Sequence, residues 1–137
     1  MKLLAYEVDK RSFLGVLNED ETWVYPVSAA GMEYRSMKDL IREAGPSEME
    51  MLDYISKKAP GDVMVAAPVD EIRVVSPIAE PDQDIICLGI NYMDHAEESA
   101  RFEKRAFEKP EKAIYFSKRV NRTNDPDGII PAHKNLT

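Results

Sequence analysis

Two side chains in this chain of 137 residues have the types and the spacing for proton chemistry. His95 and Glu98 stand three residues apart in the stretch IICLGINYMDHAEES, residues 85 to 99. On a helix that spacing places both on one face, where a carboxylate can orient an imidazole as a general base for water. On an exposed helix the same spacing also describes a solvated pair, and Glu97 with Arg101 at i+4 reads as a surface ion pair. A second feature is the distribution of charge. The net charge is −7, yet residues 1 to 100 hold 9 basic and 20 acidic side chains, whereas residues 101 to 137 hold 9 basic and 5 acidic. Arg101, Lys104 and Arg105 fit a helix of alternating charge, but Lys112, Lys118, Arg119 and Arg122 fall in predicted strand and loop, where an anionic ligand is a reasonable partner.

Other candidates read as structure. Hard divalent cations need clustered carboxylates on rigid elements, and no such cluster stands out, so no metal ligand is assigned. Asp125 and Asp127 with Gly128 look like half of a calcium loop, but a proline separates them and the downstream glutamate is missing, which reads as a turn. His133 stands alone in a loop, and the glycine of CLGINY lacks the further glycine, lysine and hydroxyl residue of a phosphate-cradling loop. Cys87 is the only cysteine, so no internal disulfide forms, and its apolar run Ile85–Leu88 predicts a buried thiol. The acidic balance argues against nucleic acid as a partner. No apolar run reaches transmembrane length and MKLLAYEVDKRSF lacks the features of a secretory signal, so neither membrane insertion nor export is expected and the cytoplasm is.

The elements that must position His95 and Glu98 follow from periodicity. Lys2–Val8, Phe13–Leu17 and Trp23–Tyr25, separated by polar stretches, predict a three-stranded antiparallel meander. Ser36 before Met37, Leu40, Ile41 and Ala44 predicts a short amphipathic helix ended by Gly45. Ser47 with Glu50 forms a capping box for a second helix whose stripe is Met49, Leu52 and Ile55, ending by Pro60 and Gly61. The methionines here are core at helical spacing. Beyond Gly61 come short β-prone runs at Val63–Val65, Ile72–Val75, Ile85–Leu88 and Ala113–Phe116. The fold class is therefore α+β: a small N-terminal domain of antiparallel sheet and helices over residues 1–67, then the beginning of a mixed β-rich domain over 68–137. The pattern predicts that the apolar strand at 85–88 passes through a glycine turn into a helix capped by Asn91, which would put His95 and Glu98 at the rim of a sheet.

The stretch from Gly89 to Glu98 resembles the glycine, asparagine, tyrosine, histidine and glutamate signature of the fumarylacetoacetate hydrolase family. The likeness extends upstream through PVDEIRVVSPIAEPDQDIICLGINY to the opening strands MKLLAYE and FLGVL. Downstream, AIYFSKR resembles the family's buried strand ending in lysine, and DPDGIIP the turn and short strand after it.

On this resemblance His95 and Glu98 are the catalytic pair, the glutamate orienting the histidine and the histidine activating water or relaying a proton. Lys118 matches a lysine near the substrate pocket, although Arg119 and Val120 replace the usual prolines. Lys118, Arg119 or Arg122 would hold a substrate carboxylate. The implied substrates are small dicarboxylic keto acids, which the enzyme would hydrolyse, decarboxylate or isomerise, and the implied cofactor is Mg²⁺ or Mn²⁺ held by acidic residues of a later DYE-like strand. Thr137 falls just short of that strand, so the second domain is expected to be incomplete, and the chain alone to hold no cofactor and to be inactive. A homodimer, or association with another chain, is expected. Two other readings stay open: a truncated, non-catalytic interaction module, and one subunit of a split enzyme.

Overall fold

The computed structural model describes residues 1–89, 101 and 112–132, and the chain divides into two compact units, Met1–Ala79 with Thr123–Thr137, and Glu80–Arg122. In the first unit β1 (Leu3–Val8) and β2 (Arg11–Leu17) form a hairpin in which Val8 pairs with Arg11. The two residues between them, Asp9 and Lys10, both have positive φ, 49° and 64°. That is the type I′ geometry, whose twist matches that of the flanking strands. β3 (Trp23–Pro26) pairs with β2 through Val16 and Tyr25, completing the expected meander. Asn18 shapes the connection, its Oδ1 accepting the N–H groups of Thr22 and Trp23 at 2.9 Å each.

Helix α1 (Met37–Glu43) starts at Ser36, whose hydroxyl oxygen accepts the Asp39 N–H at 3.2 Å, the cap its sequence predicts. Ile41, expected on the buried stripe, is 62% exposed, because this seven-residue helix turns Met37 and Leu40 inward. Helix α2 (Pro46–Ser56) begins one residue before Ser47. Proline suits the first helical position, so Gly45 becomes the N-cap, and Glu48, not Glu50, reaches back to accept the Gly45 N–H at 2.5 Å. Leu52 and Ile55 are buried and Met49 packs against the same core.

The β-prone run Val63–Val65 forms a turn, with Val65 at φ 57° and Met64 and Val65 exposed. A branched side chain is costly in that conformation, but the reversal lets the next residues return to the sheet as β4 (Ala67–Pro68), where Ala67 pairs with Val24. After a single 3₁₀ turn, β5 (Arg73–Val75) pairs with β1 on the opposite side. The strand order is β4-β3-β2-β1-β5, antiparallel throughout. Alternation along the strands then fills two clusters. Val16 and Tyr25 pack with Val27, Met37, Leu40, Leu52 and Ile55, while Leu4, Tyr6 and Val24 pack with Leu17, Ala67, Ile72 and Val74. The fold is α+β.

The second unit contains one described pair of strands, β6 (Ile85–Gly89) and β7 (Ile114–Lys118), antiparallel with Ile85 opposite Lys118 and Gly89 opposite Ile114.

Candidate functional site

Residues opposite one another in an antiparallel pair share a face. One face of the β6–β7 ribbon therefore carries Ile85, Cys87, Ile114, Phe116 and Lys118, and the other Ile86, Leu88, Tyr115 and Ser117. Both faces are apolar. That composition suits strands covered on two sides, yet Ile86 is 76% and Tyr115 67% exposed, and every residue of β7 is exposed. Cys87 is half-buried, not enclosed as its apolar run predicts.

His95 and Glu98 lie outside the described residues, as does His133. β6 covers the predicted strand Ile85–Leu88 and ends at Gly89, six residues before His95 in sequence. Arg101, the one described residue of the helix expected there, is helical. Lys118 lies at the other end of the ribbon from Gly89, a run of about 13 Å along a five-residue strand. Strand pairing thus does not itself bring Lys118 to the end of β6 from which the chain continues towards His95. Lys118 Nζ lies 5.8 Å from the centroid of the Phe116 ring, within cation–π range. Arg119 and Arg122 are exposed beyond the strand, and among the described residues no carboxylate pairs with Lys118, Arg119 or Arg122. Three free cations over five residues can meet an anion from solvent.

The sequence resemblance implies a divalent cation. No group of three or more histidine, cysteine or acidic residues stands together among the described residues. Asp125 is committed elsewhere: its Oδ1 accepts the Ser76 N–H at 2.9 Å and its Oδ2 accepts Arg73 Nη2 at 2.7 Å. Asp127 sits at the corner of a turn, φ 59°, in which the Gly128 N–H donates to the Asp125 carbonyl at 3.0 Å. Proline at the second position and positive φ at the third describe a type II turn, in keeping with the turn that DPDG predicts.

The linkage of Arg73, Ser76, Thr123 and Asp125 has no local sequence signal. NDPDG marks a turn, but nothing in the pattern says that its first aspartate reaches back 52 residues to an arginine at the sheet edge. No described helix is long and apolar enough to cross a membrane. No protein-family model matches the sequence, and no curated protein matches it.

Proposed function

We propose that the chain is the N-terminal part of a metal-dependent enzyme of the fumarylacetoacetate hydrolase type, acting in the cytoplasm on small dicarboxylic keto acids by C–C bond hydrolysis, decarboxylation or isomerisation. The observation that carries this reading is the sequence from Gly89 to Glu98, supported by a strand that ends at Gly89. Glu98 holds the His95 ring, and His95 takes and returns the proton. Lys118, Arg119 or Arg122 receives a substrate carboxylate by charge-assisted hydrogen bonds, Arg in bidentate fashion. Mg²⁺ or Mn²⁺, when bound, supplies a Lewis acid for the keto oxygen, its ligands coming from residues other than those described. The test is a titration of the chain with oxalate, a small dicarboxylate, followed by NMR with and without Mg²⁺. Shifts of the His95 ring resonances and of the Arg119 and Arg122 amides, weakened in Arg119→Ala and Arg122→Ala, are expected; a spectrum that does not change removes the proposal.

A second reading draws on the ribbon. Its apolar faces, exposed among the described residues, favour an association module, joined to a second copy of the chain or to another polypeptide that completes the sheet. Mass measured in native buffer distinguishes it, since a monomer at all concentrations contradicts self-association.

A further inference from the structure

Segment 80–122, which contains His95, Glu98, Lys118, Arg119 and Arg122, leaves and rejoins the first unit at a single closed point. Thr123 donates its N–H to the Ala79 carbonyl at 2.8 Å and its hydroxyl to the Ile78 carbonyl at 2.9 Å. A hydroxyl has one proton, so Thr123 Oγ1, having used it on Ile78, accepts from Ser76 Oγ. Asp125 secures the same junction through the Ser76 N–H and the Arg73 guanidinium. The other arm of Arg73 meets Glu7 Oε2 at 2.8 Å on the adjoining strand β1, which ties the junction to the five-stranded sheet.

The two stems that meet at this junction meet again where Ile85 pairs with Lys118. Between the closures lie only residues 80–84 on one stem and 119–122 on the other. A two-stranded ribbon is marginal by itself. Joining Ala79 to Thr123 first leaves only a short loop to close when Ile85 finds Lys118, so most of the entropic cost of bringing the stems together falls on the junction.

We propose that Thr123 and Asp125 are positioning residues, forming a clasp that holds together the stems 80–84 and 119–122 and so keeps β6 and β7 paired. The carboxylate-binding role of Arg119 and Arg122 rests on the proposed function; the clasp itself does not. The experiment compares the full chain with Asp125→Asn, Thr123→Val and Thr123→Ser by amide hydrogen exchange and NMR. In Asp125→Asn and Thr123→Val, exchange of the amides in 85–89 and 114–118 rises about tenfold, the size of effect expected when a hydrogen bond closing a local unit is lost. The amide shifts of Arg119–Arg122 move, while β1, β2 and β3 keep their exchange rates. Thr123→Ser retains the hydroxyl and restores the original exchange. Unchanged ribbon exchange with an intact five-stranded sheet overturns the clasp, as does failure of the serine variant to rescue. Should Asp125→Asn unfold the first unit, the valine and serine variants at 123 decide alone. Oxalate titration of the same samples separates the two ideas: absence of binding by the unaltered chain sinks the carboxylate reading, while the exchange rates still judge the clasp.

Discussion

Tyr25, fully buried on β3, donates its hydroxyl to the carbonyl of Lys58 at 2.8 Å, tying the middle of the sheet to the chain just beyond α2. The phenol fills the core cluster beneath the helices and its polar end satisfies a backbone carbonyl in the segment that follows α2. Tyr25→Phe keeps the ring but leaves that carbonyl unpaired, and lowers stability by about 1–2 kcal/mol in denaturant titration. A midpoint equal to that of the unaltered chain would show that the hydroxyl contributes nothing.

The same buried phenol makes the first unit sensitive to alkali. Burial raises the pKa of Tyr25 above its ordinary value near 10, with Asp20 and Asp62 adding to the effect, and burial raises that of Tyr6 as well. As pH climbs past the ordinary value the unfolded chain gives up these protons while the folded chain retains them. Stability is therefore complete below about pH 10 and falls as pH rises through the higher folded values. Unfolding midpoints measured between pH 8 and 11 decline in the upper part of that range, and the decline is shallower in Tyr25→Phe.

Gly15 on β2 leaves space that its neighbours occupy. A Cβ there would collide with Val24 Cγ2 and stand 2.9 Å from Tyr6 Cε1, in the cluster that β1 and β3 share across β2. Gly15→Ala forces these side chains apart and costs about 1–3 kcal/mol, read as a fall in the thermal midpoint.

The β1–β2 turn offers the opposite change. Lys10, at φ 64°, takes a left-handed conformation that an L side chain adopts at a cost, whereas Asp-Gly is a preferred type I′ pair. Lys10→Gly raises stability by roughly 0.5–1 kcal/mol, and a neutral or negative result in the same titration would contradict the turn assignment.

The ribbon makes a prediction about solution behaviour. Ile86, 76% exposed, and Tyr115, 67% exposed, lie on one face of β6–β7. If that face is covered by a second copy, Ile86→Lys shifts sedimentation towards monomer, because association would bury the ammonium group away from water. An unchanged distribution would exclude this face from any self-association.

Local signals in the sequence were sufficient for the meander and the first helix. Alternation marked β1, β2 and β3, and Ser36 marked the start of α1, because side-chain period and capping chemistry depend on residues only a few positions apart. Pro46 moved the start of α2 ahead of Ser47, so the Ser47 and Glu50 capping box the sequence offers gave way to proline at the first helical position. His95, Glu98, Lys118, Arg119 and Arg122 were nameable from residue type and motif alone, and three of them are described as exposed cations at or beyond one end of β7.

Tertiary structure decided what depends on distant partners. It set β5 beside β1, turned Val63–Val65 into a reversal so that Ala67 could reach Val24, and closed segment 80–122 at Thr123 and Asp125. Each of these contacts joins residues tens of positions apart whose types are ordinary in their own neighbourhoods. Periodicity carries information about which face a side chain occupies, but not about which distant group meets it there, since that is settled by the packing of the whole unit.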